Sequence, residues 1–452
     1  MLEISSSKCR IDFVIDSVRN SALSDHGHLV AFFDTVSGEV IDGRPIYEDF
    51  GDVAPFLIAC GAGDIADREF SALKSELDSS FLYINPRRSR PWMIKTYDWT
   101  DLLLGLLDYD KCQPGSGAKE LADSLLSIWW GTFGKEDYIS GRAIRVNSKK
   151  AIAIPMSSLH DIGMFPELLV QRSNVQNETQ SMDFLSIATK IVDSIVDDEF
   201  TKKYGIFPNY LNLCDRLSPG VSKWFDCLFR SKKHATATTA NLFKENTNAL
   251  ASVLAVWEMT GEPKYLKALN HWLDGCLKHM QTPSKMIAMG WNPKKGVIHP
   301  PTDHNFQFVD LMCDIYHQTG QERFIESAEA VANTWLQARG SSGFFPHHIE
   351  GRYSELAMSD SQTDFSVALL KLSALTNNTS YSTAAEEVLQ SISEYMYTGA
   401  GMANWVDVHS GKALDGVCKT KFLVLSLKGW FALDNKEKIY KDPDFTALLS
   451  DR

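Results

Sequence analysis

The amino-acid sequence predicts an all-α fold, a closed ring of six to seven helical hairpins (an α/α toroid) with short β-hairpins confined to loops. Three observations carry this expectation. The stretches Asn246–Glu262, Asn305–Gln321 and Gln362–Asn378 read alike: each is an apolar helix that ends on Thr-Gly or Thr-Asn, and each is followed by a second helix that begins near an aromatic residue. Gly261, Gly320 and Asn377 stand at the stops, where a helix C-terminus favours a residue that tolerates the left-handed conformation. They recur at a spacing of roughly 58 residues, the mark of a repeated supersecondary unit.

The first helix of each pair is apolar on nearly all sides, as in LASVLAVW and SVALLKLSAL, and such a helix is buried. The second, as in IESAEAVANTWL, has one charged and one apolar face. Each hairpin therefore joins an inner helix to an outer one. The pattern continues upstream. Inner-type segments begin near Asp49, Asp98 and His160, and are followed by outer-type segments from Asp64, Lys119 and Asp183. That makes six hairpins between about residues 47 and 433. The segments 10–20 and 420–433 lack partners; packed together they form a seventh hairpin and close the ring, which hides the ends of a helical repeat. The expected organisation is one domain over residues 1–452. The clearest β-hairpin signals are Ala143–Ile154 and Gly343–Tyr353.

With 452 residues, 44% of them hydrophobic and 23% charged, the chain can bury a large core. Its net charge of −12, with no long basic block, argues against nucleic acid or an anionic membrane as partner. No apolar run reaches membrane-spanning length, and the opening segment has no apolar signal-peptide core. The eight cysteines are scattered, without a C-x-x-C pair, which excludes zinc-ribbon and thioredoxin readings. Buried thiols act as small hydrophobes, so a reducing cytoplasm is the expected location. The sequons at Asn177 and Asn378 are then chance matches. No cofactor and no metal is expected.

Aligned on their stops, the inner helices carry polar first turns: Glu48 and Asp49; Tyr97 and Asp98; His160 and Asp161; Glu245 and Asn246; Asp303 and His304; Asp360 and Ser361. In a toroid these starts share one face, where helix N-termini add backbone donors and partial positive charge. Asp, Asn and Ser are ordinary N-caps, and Asp303 and Asp360 read most simply that way. His160, His304, Tyr97 and Glu245 are not standard caps. The loops ahead of these helices hold Trp291, His299, Phe344, Phe345, His347, His348, Arg352, Tyr353, Trp405, Asp407 and His409. Aromatic rings with polar neighbours suit sugars, which present an apolar ring face and fixed hydroxyls. Phe344 and Phe345 read equally as a plug at the loop base, whereas Trp291 and Trp405, flanked by polar residues, read as exposed. The main cavity is expected at the inner-helix starts.

These hairpins with Thr-Gly stops resemble the six-hairpin glycosidase superfamily over roughly Tyr47–Leu433, as an architecture. His160-Asp161-Ile162-Gly163 is in addition similar to the start of an inner helix in unsaturated glucuronyl hydrolases, where the resemblance implies an active-site aspartate. The following MFPELLVQ departs from that family's pattern, and the second acid falls on Glu245 where the family has an aspartate. The same four letters resemble the metal signature of HD-type phosphohydrolases, but one His-Asp pair cannot fill a metal shell and no upstream histidine is close. Three readings stay open. A glycoside hydrolase acting on a uronate-containing oligo- or polysaccharide would use Asp161 and Glu245 as its carboxyl pair, with His160 and Tyr97 beside them. A polysaccharide lyase or uronate epimerase would use Tyr97 or His160 as base. A non-catalytic glycan- or protein-binding toroid would leave Asp161 and Glu245 buried or paired. Glu48, Asp98, Asn246, Trp291, His304, His348, Arg352, Tyr353, Asp360 and Trp405 are the candidate substrate contacts.

Overall fold

A computed structural model describes residues 7–80, 93–134, 139–147, 150–154, 157–173, 183–211, 240–349 and 353–450. In chain order its helices are α1 (Ser7–Ser17), α2 (Phe50–Ala59), α3 (Gly63–Ser80), α4 (Thr96–Cys112), α5 (Ala118–Phe133), α6 (Leu159–Ile162), α7 (Phe165–Ser173), α8 (Phe184–Val196), α9 (Glu199–Tyr204), α10 (Thr247–Thr260), α11 (Pro263–His279), α12 (Asn305–Thr319), α13 (Glu322–Ala338), α14 (Ser359–Thr376), α15 (Thr379–Ser391), α16 (Thr420–Asp434) and α17 (Pro443–Leu449). The chain separates into two compact units. Unit 1 comprises residues 1–88, 104–122 and 301–451, and unit 2 comprises 89–103, 123–300 and 452.

The predicted stops are found residue for residue. Gly261 (φ 64°), Gly320 (φ 67°) and Asn377 (φ 58°) are left-handed, and their N–H groups donate to Trp257, Tyr316 and Ser373. The threonine before each stop explains why the pair recurs. Thr260, Thr319 and Thr376 each donate a hydroxyl hydrogen bond to the carbonyl one turn back, and each accepts the N–H of the residue that opens the next helix. One side chain thus ties the last turn of the inner helix to the N–H that precedes the next helix.

In unit 1, α12, α14, α16 and α2 pack side by side in that order, and α13, α15, α1 and α3 each cover one of them. The expected α1–α16 pairing is present. From Ser359 to Leu372 nearly every residue of α14 is buried, as an inner helix requires. The burial includes Lys371, whose ammonium lies 2.8 Å from Asp310 and 3.1 Å from Asp314, while the Tyr440 hydroxyl donates to Asp314 at 2.7 Å. Lys371→Met is expected to take from Asp310 and Asp314 the buried ammonium they share and to cost about 3–5 kcal/mol, checked by denaturant unfolding.

In unit 2, α7 lies against α10, with α8 and α11 outside them. The inner segment predicted as one helix from His160 is broken after Ile162, because Pro166 has no N–H for the Ile162 carbonyl and the Ser252 hydroxyl takes the Glu167 N–H and donates to the Gly163 carbonyl. Gly205 and Gly275 meet backbone to backbone. A Cβ on Gly275 would stand 2.3 Å from the Tyr204 carbonyl, so Gly275→Ala is expected to destabilise by about 1–3 kcal/mol, measured as a lowered melting temperature.

Strands are short. The hairpin predicted at Ala143–Ile154 forms as Arg142–Asn147 paired with Lys150–Ile154. The one predicted at Gly343–Tyr353 does not form among its described residues. Phe345 instead gives its N–H and carbonyl to the side chain of Gln362, at 2.8 and 3.0 Å, and Phe344 and Phe345 are buried as a plug. The strand of this region is Leu356–Met358, paired with Trp405–Asp407. No described helix is long and apolar enough to cross a membrane.

Candidate functional site

Unit 2 gathers four of the predicted residues: Tyr97, His160, Asp161 and Glu245. Tyr97 is the second residue of α4, whose start is pinned to the stalk of the β-hairpin. Thr96 N–H donates to the Gly141 carbonyl at 3.0 Å, and its hydroxyl donates to the Ser140 carbonyl at 2.7 Å. The same stalk carries Arg142, whose Nε donates to Asp161 Oδ2 at 2.7 Å. Asp161 is not the cap of its helix. Ser158 is the N-cap, accepting the Asp161 N–H and donating its hydroxyl to Asp161 Oδ2 at 2.7 Å. Asp161 Oδ1 is buried and has no hydrogen-bond partner among the described residues.

The His160 ring stacks on Tyr97, centroids 5.1 Å apart and planes 19° from parallel. Burial pushes the imidazole down to about 4; the Asp161 charge opposes this, and the cations of Lys244, Lys95 and Arg142 reinforce it. His160 is therefore neutral near pH 7. The Lys244 ammonium lies over the Tyr97 ring at 4.3 Å and donates to its hydroxyl. Lys244 holds φ at 61°, a left-handed conformation that costs a lysine energy and clusters at functional positions.

Glu245 follows at once, in a π-helical turn (Leu242–Asn246) ahead of α10. Burial pushes its carboxyl up to about 7; the Asn241 amide and its own backbone N–H oppose this, and the Asp161 charge adds to it. Asn241 Nδ2 donates to Glu245 at 3.2 Å, and Asn241 is itself anchored through its N–H to Asn209 at 2.7 Å. The unit thus brings together a carboxyl that titrates near neutrality, a carboxylate held by an arginine, a neutral imidazole, and a phenol under an ammonium.

Other predicted contacts are placed differently. Asn246 is wholly buried and spends its amide on Phe207, Asn241 and the Trp272 indole, so it braces the fold. Trp291, expected to be exposed, is buried on the strand Gly290–Asn292 among Phe200, Tyr204 and His279. Asp98 is buried in the first turn of α4. Arg352 lies outside the described residues. Glu48, in unit 1, is buried near Arg44 and near Glu69; burial pushes the Glu69 carboxyl up to about 8.

Unit 1 gathers His304, His348, Tyr353, Trp405 and Asp360 around His347. The His347 ring meets Trp405 edge-to-face at 5.4 Å, His348 at 4.8 Å, Tyr353 at 6.1 Å and His304 at 6.2 Å. Asp303, which reads as a cap in the sequence, makes no cap. His347 Nδ1 stands 2.8 Å from its carboxylate. Asp360, also read as a cap, lies inside the first turn of α14 behind the N-cap Met358 and accepts the adjacent Ser361 N–H, at 2.8 Å; burial, with the Asp303 charge, pushes it up to about 6. Among the described residues no group of three His, Cys, Asp or Glu side chains is arranged to hold a metal ion.

No protein-family model and no curated sequence matches the chain. Solved structures do. The α-1,2-mannosidase from Trichoderma reesei superposes with a TM-score of 0.68 at 11% identity, over 94% of this chain and 92% of that one. The cellobiose 2-epimerase from Spirochaeta thermophila gives 0.56 at 12% identity, over 96% and 98%. A D-mannose isomerase gives 0.54 at 10% identity, over 94% and 96%. The chain has the six-hairpin glycosidase fold. It is an all-α toroid, as the hairpin spacing and the resemblance both anticipated. On this six-hairpin fold the sequence reading missed Arg142, Lys244, Lys95 and Ser158 of unit 2, and left Asp303 as a cap. Lys244 had one visible signal, a cation directly before the non-capping Glu245.

Proposed function

We propose that this six-hairpin protein is a carbohydrate-active enzyme, a glycoside hydrolase for a uronate-bearing oligosaccharide, with Glu245 as proton donor. The observation that carries the reading is Glu245: a carboxyl that titrates at about 7 beside the arginine-held carboxylate of Asp161. Glycosidic cleavage asks for this division, one group able to give a proton to the leaving oxygen and one that stays charged to activate water or offset oxocarbenium charge. Asp161 Oδ1, buried and unspent, is the atom for the second task. Lys95, Lys244 and Arg142 around His160 favour an anionic sugar over a neutral one. That known toroids of this fold include a mannosidase, an epimerase and an isomerase supports sugar chemistry as the class.

A second reading rests on the Tyr97–His160–Lys244 stack. A phenolate formed at Tyr97 would be met by the Lys244 ammonium, and a neutral His160 can accept a proton, which suits abstraction alpha to a carboxylate in a lyase or epimerase. The Asp161–Arg142 pair is also what a non-catalytic toroid would contain. Incubation with uronate-bearing oligosaccharides in D2O separates the three. Hydrolysis creates reducing ends without deuterium at the carbon alpha to the carboxylate. Epimerisation incorporates deuterium there, and elimination yields an unsaturated, ultraviolet-absorbing product. No turnover across the panel would overturn both enzymatic readings.

A further inference from the structure

We propose that Asn209 is a positioning residue of the unit 2 site: its backbone holds the helix start that carries Asp161, its side chain holds the strand that presents Asn241 to Glu245, and so it fixes the two carboxyls against one another. The proposal rests on the reading of Asp161 and Glu245 as the reacting pair, and it gives a role in that reaction to a residue outside the pair.

Asn209 lies in the short segment that leaves α9 through Gly205 (φ 82°) and runs into the strand Tyr210–Leu211, and it is buried. One arm is backbone. The Asn209 carbonyl accepts the Leu159 N–H at 3.0 Å, and the two residues that follow pair antiparallel with Ser157 and Ser158. Leu159 opens α6 two residues before Asp161, and Ser158 donates its hydroxyl to Asp161 Oδ2 at 2.7 Å. The other arm is side chain. Asn209 Oδ1 accepts the Asn241 N–H at 2.7 Å, and Asn241 Nδ2 donates to Glu245 at 3.2 Å. A further tie keeps this arm in place: the Asn246 amide accepts the Phe207 N–H at 2.8 Å and donates to the Phe207 carbonyl at 3.0 Å and to the Asn241 carbonyl at 2.6 Å. Residues 207–209 are thereby bonded both to the stretch that carries Asp161 and to the stretch that carries Glu245.

The spacing of such a pair is functional, because it decides whether a water or the carboxylate itself reaches the sugar. A misplacement of about 1 Å can cost on the order of 100-fold in rate. Two carboxyls do not hold their own spacing, since they repel when both are charged, so it must come from the groups that brace them. The same brace acts on ionisation. Burial pushes the Glu245 carboxyl up to about 7, the Asn241 amide works against that rise, the Asp161 charge adds to it and the Lys244 ammonium lowers it. By holding Asn241, Asn209 acts on both the place of the proton donor and its readiness to ionise.

Substitution of Asn209 in the full chain cuts one arm and leaves the other, because the bond from Leu159 uses the backbone. Asn209→Ala is expected to lower kcat on a uronate-bearing oligosaccharide by about 10- to 100-fold, with KM changed little. The Glu245 titration, followed without substrate by carboxyl-carbon NMR, is expected to move to higher pH in Asn209→Ala and in Asn241→Ala, and no further in the double variant, because both act through the same amide. Asn209→Asp keeps the oxygen that accepts the Asn241 N–H and is expected to recover most of the lost kcat. Thr260→Ala, at the far end of α10, is expected to lower the melting temperature and to leave kcat and the titration as they are, which is how a merely structural Asn209 would behave. Asn209→Ser, a milder truncation, serves the same comparison where the alanine variant does not fold. The titration needs no turnover, so a wild type inactive on every oligosaccharide removes the hydrolase reading and leaves the brace to be decided by NMR. The proposal is overturned if Glu245 titrates as in wild type in a folded Asn209→Ala protein, or if that protein keeps the wild-type kcat.

Discussion

Glu245→Gln is expected to lower turnover of a uronate-bearing oligosaccharide by about 100- to 10,000-fold, the usual worth of a positioned proton donor. The substitution keeps the shape of the side chain and its amide still meets Asn241, so binding of substrate is expected to change little and the loss to fall on kcat. The pH profile gives an independent check. A donor must be protonated, and Glu245 titrates at about 7, so wild-type activity is expected to fall as pH rises through that value. Stability should fall in the same direction. A carboxyl whose folded pKa lies above its unfolded value contributes stability that is full below the unfolded pKa and is lost as pH rises through about 7. Above that pH the wild type carries a poorly solvated charge that glutamine lacks. Glu245→Gln is therefore expected to melt at a higher temperature than wild type at pH 8 while being nearly inactive, the trade-off of a group retained for chemistry rather than for folding. Unchanged kcat in this variant would remove Glu245 from the mechanism.

What the sequence made legible was whatever local chemistry determines. The Thr-Gly and Thr-Asn stops are set by a hydroxyl and a left-handed residue within one turn, so Gly261, Gly320 and Asn377 were readable at single-residue resolution. All-round apolarity marked α14 as inner because no other environment suits such a helix. The departures have long-range causes. The helix break at Gly163 needs, besides the nearby Pro166, the Ser252 hydroxyl of α10, which takes the Glu167 N–H and comes close only through the fold. The strand expected through Phe345 is lost because Gln362, a side chain on α14, takes the backbone groups a strand would use. Asp303 looks like a cap because aspartate before a helix usually is one, and its true partner, His347, comes close only through the fold. Likewise Tyr97, His160, Asp161 and Glu245 could be chosen as non-capping polar residues at helix starts, but the arginine and lysines that set their charges lie on a hairpin and a strained turn with no periodicity to reveal them.

Asp161→Asn is expected to damage folding and turnover together, and the reason lies in which atoms the carboxylate engages. If Asp161 were merely a helix cap, asparagine would replace it at little cost. Ser158 holds that position, however, and Asp161 Oδ2 takes both the Ser158 hydroxyl and the Arg142 Nε at 2.7 Å. The Asp161 side chain is fully buried and that of Arg142 is 21% exposed, so neutralising the aspartate removes the charge that meets Arg142 Nε in a place with little water. Removing one partner of a buried pair costs about 3–5 kcal/mol, and the residual exposure of Arg142 brings the expected loss to the lower part of that range. The released Arg142 would also add unbalanced positive charge beside His160 and Glu245. Glu245 would then lose the negative neighbour that helps to raise its pKa, so the falling limb of the pH–activity profile is expected to move to lower pH in whatever activity remains. Arg142→Gln separates the two effects. It breaks the same pair but keeps the Asp161 charge, so it should be destabilised while retaining most of the neutral-pH donor function of Glu245. The double variant should recover part of the stability lost by Asp161→Asn alone, because the stranded guanidinium is gone. Recovery of stability without recovery of turnover would assign Asp161 to the chemistry as well as to the pair. Full activity in a stably folded Asp161→Asn protein would reduce the aspartate to an anchor for the hairpin that carries Arg142.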